Sequence, residues 1–334
     1  TFHTGDASLI EPSKSEACAM SRTQLTACVA MVLFLSIALA CSGERRQRRG
    51  EPTEAFTFQH DNLERTYTFY KPDGLEPGAP LLIALHGGGG DAAKAQGYYG
   101  FNPLAKEQGF AVVYPEGVEN GWNDGRGDAK QIAARENYDD AGFITALSKE
   151  LIEKHDLDAK RVFLTGASNG GMMSVRLICE RGDLYTAAAP VIGGIPVDMA
   201  ETCKKRIPRP VIILKGTEDP LVPYEGGGVV NDKRGEVLST KEELSVWLTS
   251  AGCDPEAGTS ETFDKDSEDG IYTEKQSWSK GCEEAPVILY TVHGGGHTWP
   301  GNGTQYAPKA FIGLPSDDVD ATKLIWAFFS RFTR

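Results

Sequence analysis

The stretch RVFLTGASNGGMMSVRLICERG, residues 161–182, decides the fold. Its opening RVFLT is a short run of β-branched, aromatic and aliphatic side chains and reads as a buried strand. The closing GGMMSVRLICERG reads as a helix. Between them GASNG fits G-x-S-x-G through Gly166, Ser168 and Gly170, a sharp strand-to-helix turn that presents the serine hydroxyl. The glycines answer a steric need, because the turn is too tight for side chains. The helix amino terminus favours negative charge developing beside it. A serine that merely caps the helix is the plain alternative. The strand before and the helix after favour Ser168 as a nucleophile for acyl transfer.

Working outward, PLLIALHGGGG (80–90), FAVVYPEG (110–117) and RPVIILKGTEDP (209–220) repeat the design of a continuously apolar strand running into a Gly-bearing loop. FTFQH and TYTFYKP read as earlier strands. Between strands, DDAGFITALSKELIEKHD (139–156) places Phe143, Ile144, Leu147, Leu151 and Ile152 at helical spacing. Apolar strands alternating with helices predict an α/β fold, a mostly parallel sheet with helices on both faces. Chemistry then gathers at the carboxyl ends of the strands. One catalytic domain is expected over 56–334, closed by the helix in DVDATKLIWAFFSRF (318–332).

A serine nucleophile needs a base and a carboxylate that orients the base. On this strand–turn–helix frame they follow in the order Ser, acid, His. Of the six histidines, His293 and His297 lie near the carboxyl end. His293 completes the apolar run PVILYTVH and reads as a strand residue, whereas His297 follows three glycines in a loop, so His297 is the expected base. Asp219, one loop past the strand VIILK, is the expected acid, with Glu218 as its rival; Asp317 and Asp318 come after His297, in the wrong order. The HGGGG run from His86 to Gly90 follows an early strand. Its amides, Gly88 foremost, are expected to join that of Asn169 in an oxyanion hole. It lacks the Lys and Ser/Thr of a phosphate-binding loop.

Taken together, LHGGGG, GWNDG, DDAGF, GASNGGMMS, LKGTEDPLVPYEGG and GGGHTWPG resemble the polyhydroxybutyrate depolymerase and feruloyl esterase group of α/β hydrolases, from about Leu81 to Phe332. The group includes exported lipoprotein esterases of the LpqC type. The resemblance implies an α/β-hydrolase fold and carboxylic-ester hydrolysis, with nucleophile, acid and base at Ser168, Asp219 and His297. It also implies a cysteine pair like Cys253 and Cys282. The polar insertion DPEAGTSETFDKDSEDG (254–270) departs from the group's pattern and bears on the rim of the pocket. Trp122, Tyr224 and Trp299 lie beside the motifs as candidate walls of an acyl pocket, with core packing as the alternative. No metal or organic cofactor is implied, since a serine triad with backbone donors completes acyl transfer unaided. The expected partner is a small or oligomeric ester, short-chain or aromatic, with carbohydrate-linked esters in range. The short tail after His297 favours soluble esters over solid polyester. A serine peptidase or an acyltransferase uses the same triad, and a non-catalytic surface protein is the reading from another class.

The formal net charge of −13 leaves no electrostatic footprint for nucleic acid. Residues 1–40 read as an upstream segment and a signal peptide: translation is expected to start at Met20, Arg22 is the positive region, and LTACVAMVLFLSIALA is apolar. Ala40 before Cys41 resembles a bacterial lipoprotein cleavage site, although Ala38 and Leu39 depart from the usual order. Cys41 is therefore the expected lipidation site, and residues 41–55 a charged tether. A membrane anchor over 23–43 is the alternative, and Arg45, Arg46, Arg48 and Arg49 complicate both. An exported, extracellular or periplasmic enzyme, held to the envelope by lipid, is the expectation. Of the seven cysteines, Cys179, Cys203, Cys253 and Cys282 remain after the leader and Cys41. They allow three pairings. The sequential one, Cys179–Cys203 with Cys253–Cys282, closes local loops and is expected; four buried thiols are the alternative.

Overall fold

Asp61 and Asn62 both adopt positive φ, 48° and 62°, the backbone that a two-residue hairpin turn requires. They join strand β1 (Ala55–His60) to β2 (Leu63–Tyr70), which pair antiparallel at one edge of a 10-stranded sheet. The computed structural model describes residues 54–302 and 306–334; the expected leader, Cys41 and most of the tether lie outside them.

The next strands are β3 (Ala79–Leu85), β4 (Ala111–Pro115), β5 (Leu157–Ala167), β6 (Ala187–Val191) and β7 (Val211–Gly216). A two-stranded ribbon, β8 (Gly227–Gly228) with β9 (Glu236–Val237), follows. Then β10 (Thr259–Phe263), β11 (Tyr272–Trp278) and β12 (Val287–His293) complete the large sheet. Its order is β1-β2-β4-β3-β5-β6-β7-β12-β11-β10. The block from β4 to β12 is parallel, and antiparallel pairs flank it on both sides. The described residues all fall in one compact unit.

Period-two alternation explains the two cores. Leu81, Ile83 and Leu85 of β3 point into one, and Leu82 and Ala84 into the other. The first is covered by the helices Asp140–Lys154, Asn169–Glu180 and Thr240–Ala251, through Phe143, Leu147, Ile178 and Trp247. The second is covered by Ala92–Tyr99, Phe101–Gln108 and the closing helix Ala321–Phe329. The helices start where capping chemistry permits: Asp139 accepts from Gly142 N, and Ser239 forms a capping box with Glu242. Phe163 of β5 stacks on Phe329 at 4.8 Å and so pins the closing helix; truncating such a buried ring to Ala costs about 3–5 kcal/mol.

Both expected disulfides form, Cys179–Cys203 and Cys253–Cys282. The first ties the Asn169–Glu180 helix to the short helix Ala200–Lys204 before β7. Part of the polar insertion forms the sheet edge: its residues Thr259–Phe263 are β10, antiparallel to β11. Thr259, Thr262 and Phe263 suit a pleated edge strand, of which only Phe263 is partly buried.

Candidate active site

Ser168 stands on the turn between β5 and the Asn169–Glu180 helix with φ 56° and ψ −120°. Such a backbone costs a non-glycine residue on the order of 1–3 kcal/mol and persists only where its surroundings enforce it. Here Ser168 N donates to Val191 O at 2.9 Å. A Cβ on Gly166 would lie 2.6 Å from Leu85 O, and one on Gly170 2.2 Å from the same oxygen, so the elbow accepts no side chain at either position. The Ser168 side chain makes no capping hydrogen bond. The capping reading is thereby removed, and the hydroxyl is half-buried at the carboxyl end of β5.

Asp219 follows β7 and His297 follows β12, at the same end of the sheet. Nδ1 of His297 lies 2.6 Å from Oδ2 of Asp219, and both residues are buried. The other carboxylate oxygen of Asp219 accepts from Leu221 N at 2.8 Å and Val222 N at 2.9 Å. With Nδ1–H donating to the carboxylate, Nε2 is left as the basic nitrogen. Glu218, the rival, is exposed. His297 is strapped from outside: its N donates to Ile312 O at 2.5 Å, and its O accepts from the Tyr306 hydroxyl at 3.2 Å. His293 ends β12, as expected, with Nε2 3.4 Å from Glu274 Oε2.

The glycine loop after β3 lies against the elbow. A Cβ on Gly87 would sit 3.3 Å from Ala167 O, and one on Gly88 3.6 Å from the Cβ of Asn169. His86 organises this loop. Its Nδ1–H donates to Gly87 O at 2.9 Å, and its Nε2 accepts from Gly117 N at 2.9 Å. Burial pushes the imidazole down to about 4, so it is neutral at pH 7 and fixed in one tautomer. As first residue of its helix, Asn169 has a backbone N–H without an intrahelical acceptor. Its side chain is clamped: Oδ1 accepts from Trp122 N at 2.8 Å, and Nδ2 donates to Trp122 O at 3.1 Å and to Asp124 Oδ2 at 2.6 Å. Asp124 is fully buried, with Arg126 Nε 3.3 Å away.

Two of the three aromatic candidates are packed inside the fold. Trp122 is fully buried, its Nε1 donating to His86 O at 2.9 Å. It braces the glycine loop to the elbow rather than walling an open pocket. Trp299 stacks on Tyr99 at 4.3 Å and donates to Thr322 Oγ1; it too is core. Tyr224 keeps partial exposure, with its hydroxyl 3.1 Å from Thr291 Oγ1. Sequence reasoning missed Asp124, His86 as an organiser, and Tyr306. The first lies in GWNDG, where an acid two residues after a Trp carried a usable signal; Tyr306 carried none.

A strained serine elbow, a buried His–carboxylate pair and a glycine loop on this sheet fit a hydrolase of the α/β type, and the proteins it resembles make it a carboxylic ester hydrolase. The family model described as Esterase PHB depolymerase matches residues 65–203. "Putative esterase NocK" of Nocardia uniformis subsp. tsuyamanensis is 32% identical over 277 residues, 79% of this chain and 79% of that one. The chain belongs to this esterase family. Feruloyl esterase D of Neurospora crassa is 26% identical over 296 residues, 84% of this chain and 86% of that one. Among solved structures, an acetyl xylan esterase from Aspergillus awamori shares the fold, with a TM-score of 0.56 at 16% identity, covering 83% of this chain and 99% of that one.

Proposed function

We propose that the enzyme hydrolyses short-chain or aromatic carboxylic esters through an acyl-enzyme on Ser168. His297 Nε2 takes the hydroxyl proton as Oγ attacks the carbonyl carbon, and returns it to the departing alkoxide. Asp219 holds the ring with Nδ1 inward and stabilises the imidazolium that forms. The amides of Gly88 and Asn169 receive the oxyanion, at the helix terminus where developing negative charge is favoured. Water, activated by the same histidine, then releases the acid. The observation that carries this reading is the 2.6 Å bond between His297 Nδ1 and Asp219 Oδ2. It turns Nε2 outward as the free basic nitrogen, which is what a general base requires.

The substrate class is supported by the names of the relatives, feruloyl and acetyl xylan esterases, so carbohydrate-linked esters are included. An exported enzyme, lipid-anchored through Cys41, fits the two disulfides, which persist in oxidising compartments; among the described residues no helix is long and apolar enough to cross a membrane. The test is a fluorophosphonate probe followed by peptide mapping. Labelling at Ser168, abolished by prior acylation with a phenyl ester, is the expected result. Labelling at another serine, or none in protein that turns over esters, contradicts the assignment.

A further inference from the structure

Half of the large apolar side chains that the described residues expose, three of six, sit on one short segment: Tyr306 at 53%, Phe311 at 69% and Leu314 at 43%. That segment is the strap that holds His297. His297 N and O bond to Ile312 and Tyr306, and Gly296 N donates to Leu314 O at 2.8 Å. Gly313 makes the close approach possible, since a Cβ there would meet Gly296 Cα at 2.7 Å. Buried Ile312 anchors the strap from below while its neighbour Phe311 stays outside. The ring of Tyr306 stands edge-on to that of Tyr98, with centroids 5.6 Å apart. Exposed apolar groups gathered beside a reactive centre mark a place where something apolar is bound.

The chemistry says which part of the substrate that is. His297 must deliver its proton to the leaving oxygen, so the alcohol lies on the histidine's side of the tetrahedral carbon. The glycine loop takes the carbonyl oxygen on another side. We infer that the strap 306–314 is the alcohol-side subsite and that it selects esters of alkyl or aryl alcohols. This rests on the proposed roles of Ser168 and His297. In the step concerned, the Ser168 Oγ–carbon bond forms, the carbon–alkoxide bond breaks, and the serine proton ends on the released alcohol. A sugar alcohol asks for several hydrogen bonds. The strap offers Lys309 and one phenol, and that phenol already donates to His297 O.

The test holds the acyl group at butyryl and varies the alcohol through methyl, hexyl, benzyl and glucosyl esters. Phe311→Ser and the Phe311→Ser/Leu314→Ser pair replace exposed side chains and leave buried Ile312 in place. Wild type is expected to prefer hexyl and benzyl to glucosyl butyrate. The double variant is expected to lose about tenfold in kcat/KM for hexyl and benzyl esters and to keep methyl butyrate within about twofold. Deacylation of the butyryl-enzyme, measured after the alcohol has left, stays unchanged. Equal losses on methyl and hexyl esters, no loss at all, or a preference for the glucosyl ester overturns the inference. Failure of the underlying site reading shows separately, as turnover of methyl butyrate by Ser168→Ala.

Discussion

Asn169 donates its side-chain amide to Oδ2 of Asp124 at 2.6 Å, and so the residue next to the nucleophile is anchored to a carboxylate that solvent does not reach. Burial raises the Asp124 carboxyl, and the Arg126 guanidinium opposes that rise. The charge is thereby compensated inside the fold instead of opposing the oxyanion a residue away. Trp122 completes the clamp by holding Asn169 through its backbone and the glycine loop through its indole.

Asp124→Ala should therefore lower kcat by roughly tenfold to a hundredfold with KM little changed, because the misplaced amide is used mainly in the transition state. Stability should fall by about 3–5 kcal/mol, since Arg126 loses a buried partner. Asp124→Asn keeps an acceptor oxygen and should recover most of kcat. Steady-state kinetics with urea unfolding separate the two effects. Equal kcat for the Ala and Asn variants would remove Asp124 from the positioning of Asn169.

His86 links pH to stability. Its pKa is about 4 in the fold against an unperturbed value of about 6.5 in the unfolded chain. Below that value the unfolded state takes up a proton that the fold refuses. The stability is fully present above about pH 6.5 and falls as pH drops toward about 4, by roughly 3 kcal/mol. Glu116, 3.6 Å away and raised by its own burial, acts in the opposite sense and offsets part of the loss. Urea midpoints measured across this range should decline with acid, and His86→Gln should flatten the decline. An unchanged slope in that variant would contradict the account.

The sheet and its elbow were legible because most of the parallel strands are apolar on both faces and run into a glycine-bearing loop. The elbow position of Ser168 and the pairing of Asp219 with His297 were legible through order and context. For Trp122 and Trp299 the sequence left pocket wall and core packing both open, because an aromatic beside such a motif braces a loop as readily as it lines a cleft, and the packing decides for the core. Tyr306 was invisible because its contact with His297 depends on how 306–314 folds back. The strand Thr259–Phe263 inside the polar insertion 254–270 was not read from the sequence, since the flanking charges mask its short run.

Beneath the acid loop, Lys215 of β7 and Glu243 of the Thr240–Ala251 helix form a buried ion pair at 2.6 Å, with Trp247 Nε1 donating to the same carboxylate. Glu243→Ala should cost about 3–5 kcal/mol by stranding the ammonium, while Lys215→Met/Glu243→Leu should recover most of it. Thermal unfolding of the three proteins checks this. A double variant as unstable as Glu243→Ala would show that the pair stabilises through something other than mutual compensation.

The most direct test of the whole account is the turnover of Ser168→Ala on p-nitrophenyl butyrate, beside circular dichroism and melting of the same preparation. Removing a triad nucleophile costs on the order of 10⁶-fold in kcat, and the elbow leaves the hydroxyl without a structural bond to lose. The variant should be folded, as stable as wild type or more so, and inactive to within background. A folded variant that keeps even a tenth of wild-type turnover, a rough threshold far above that expected residue, would place the chemistry elsewhere in the molecule.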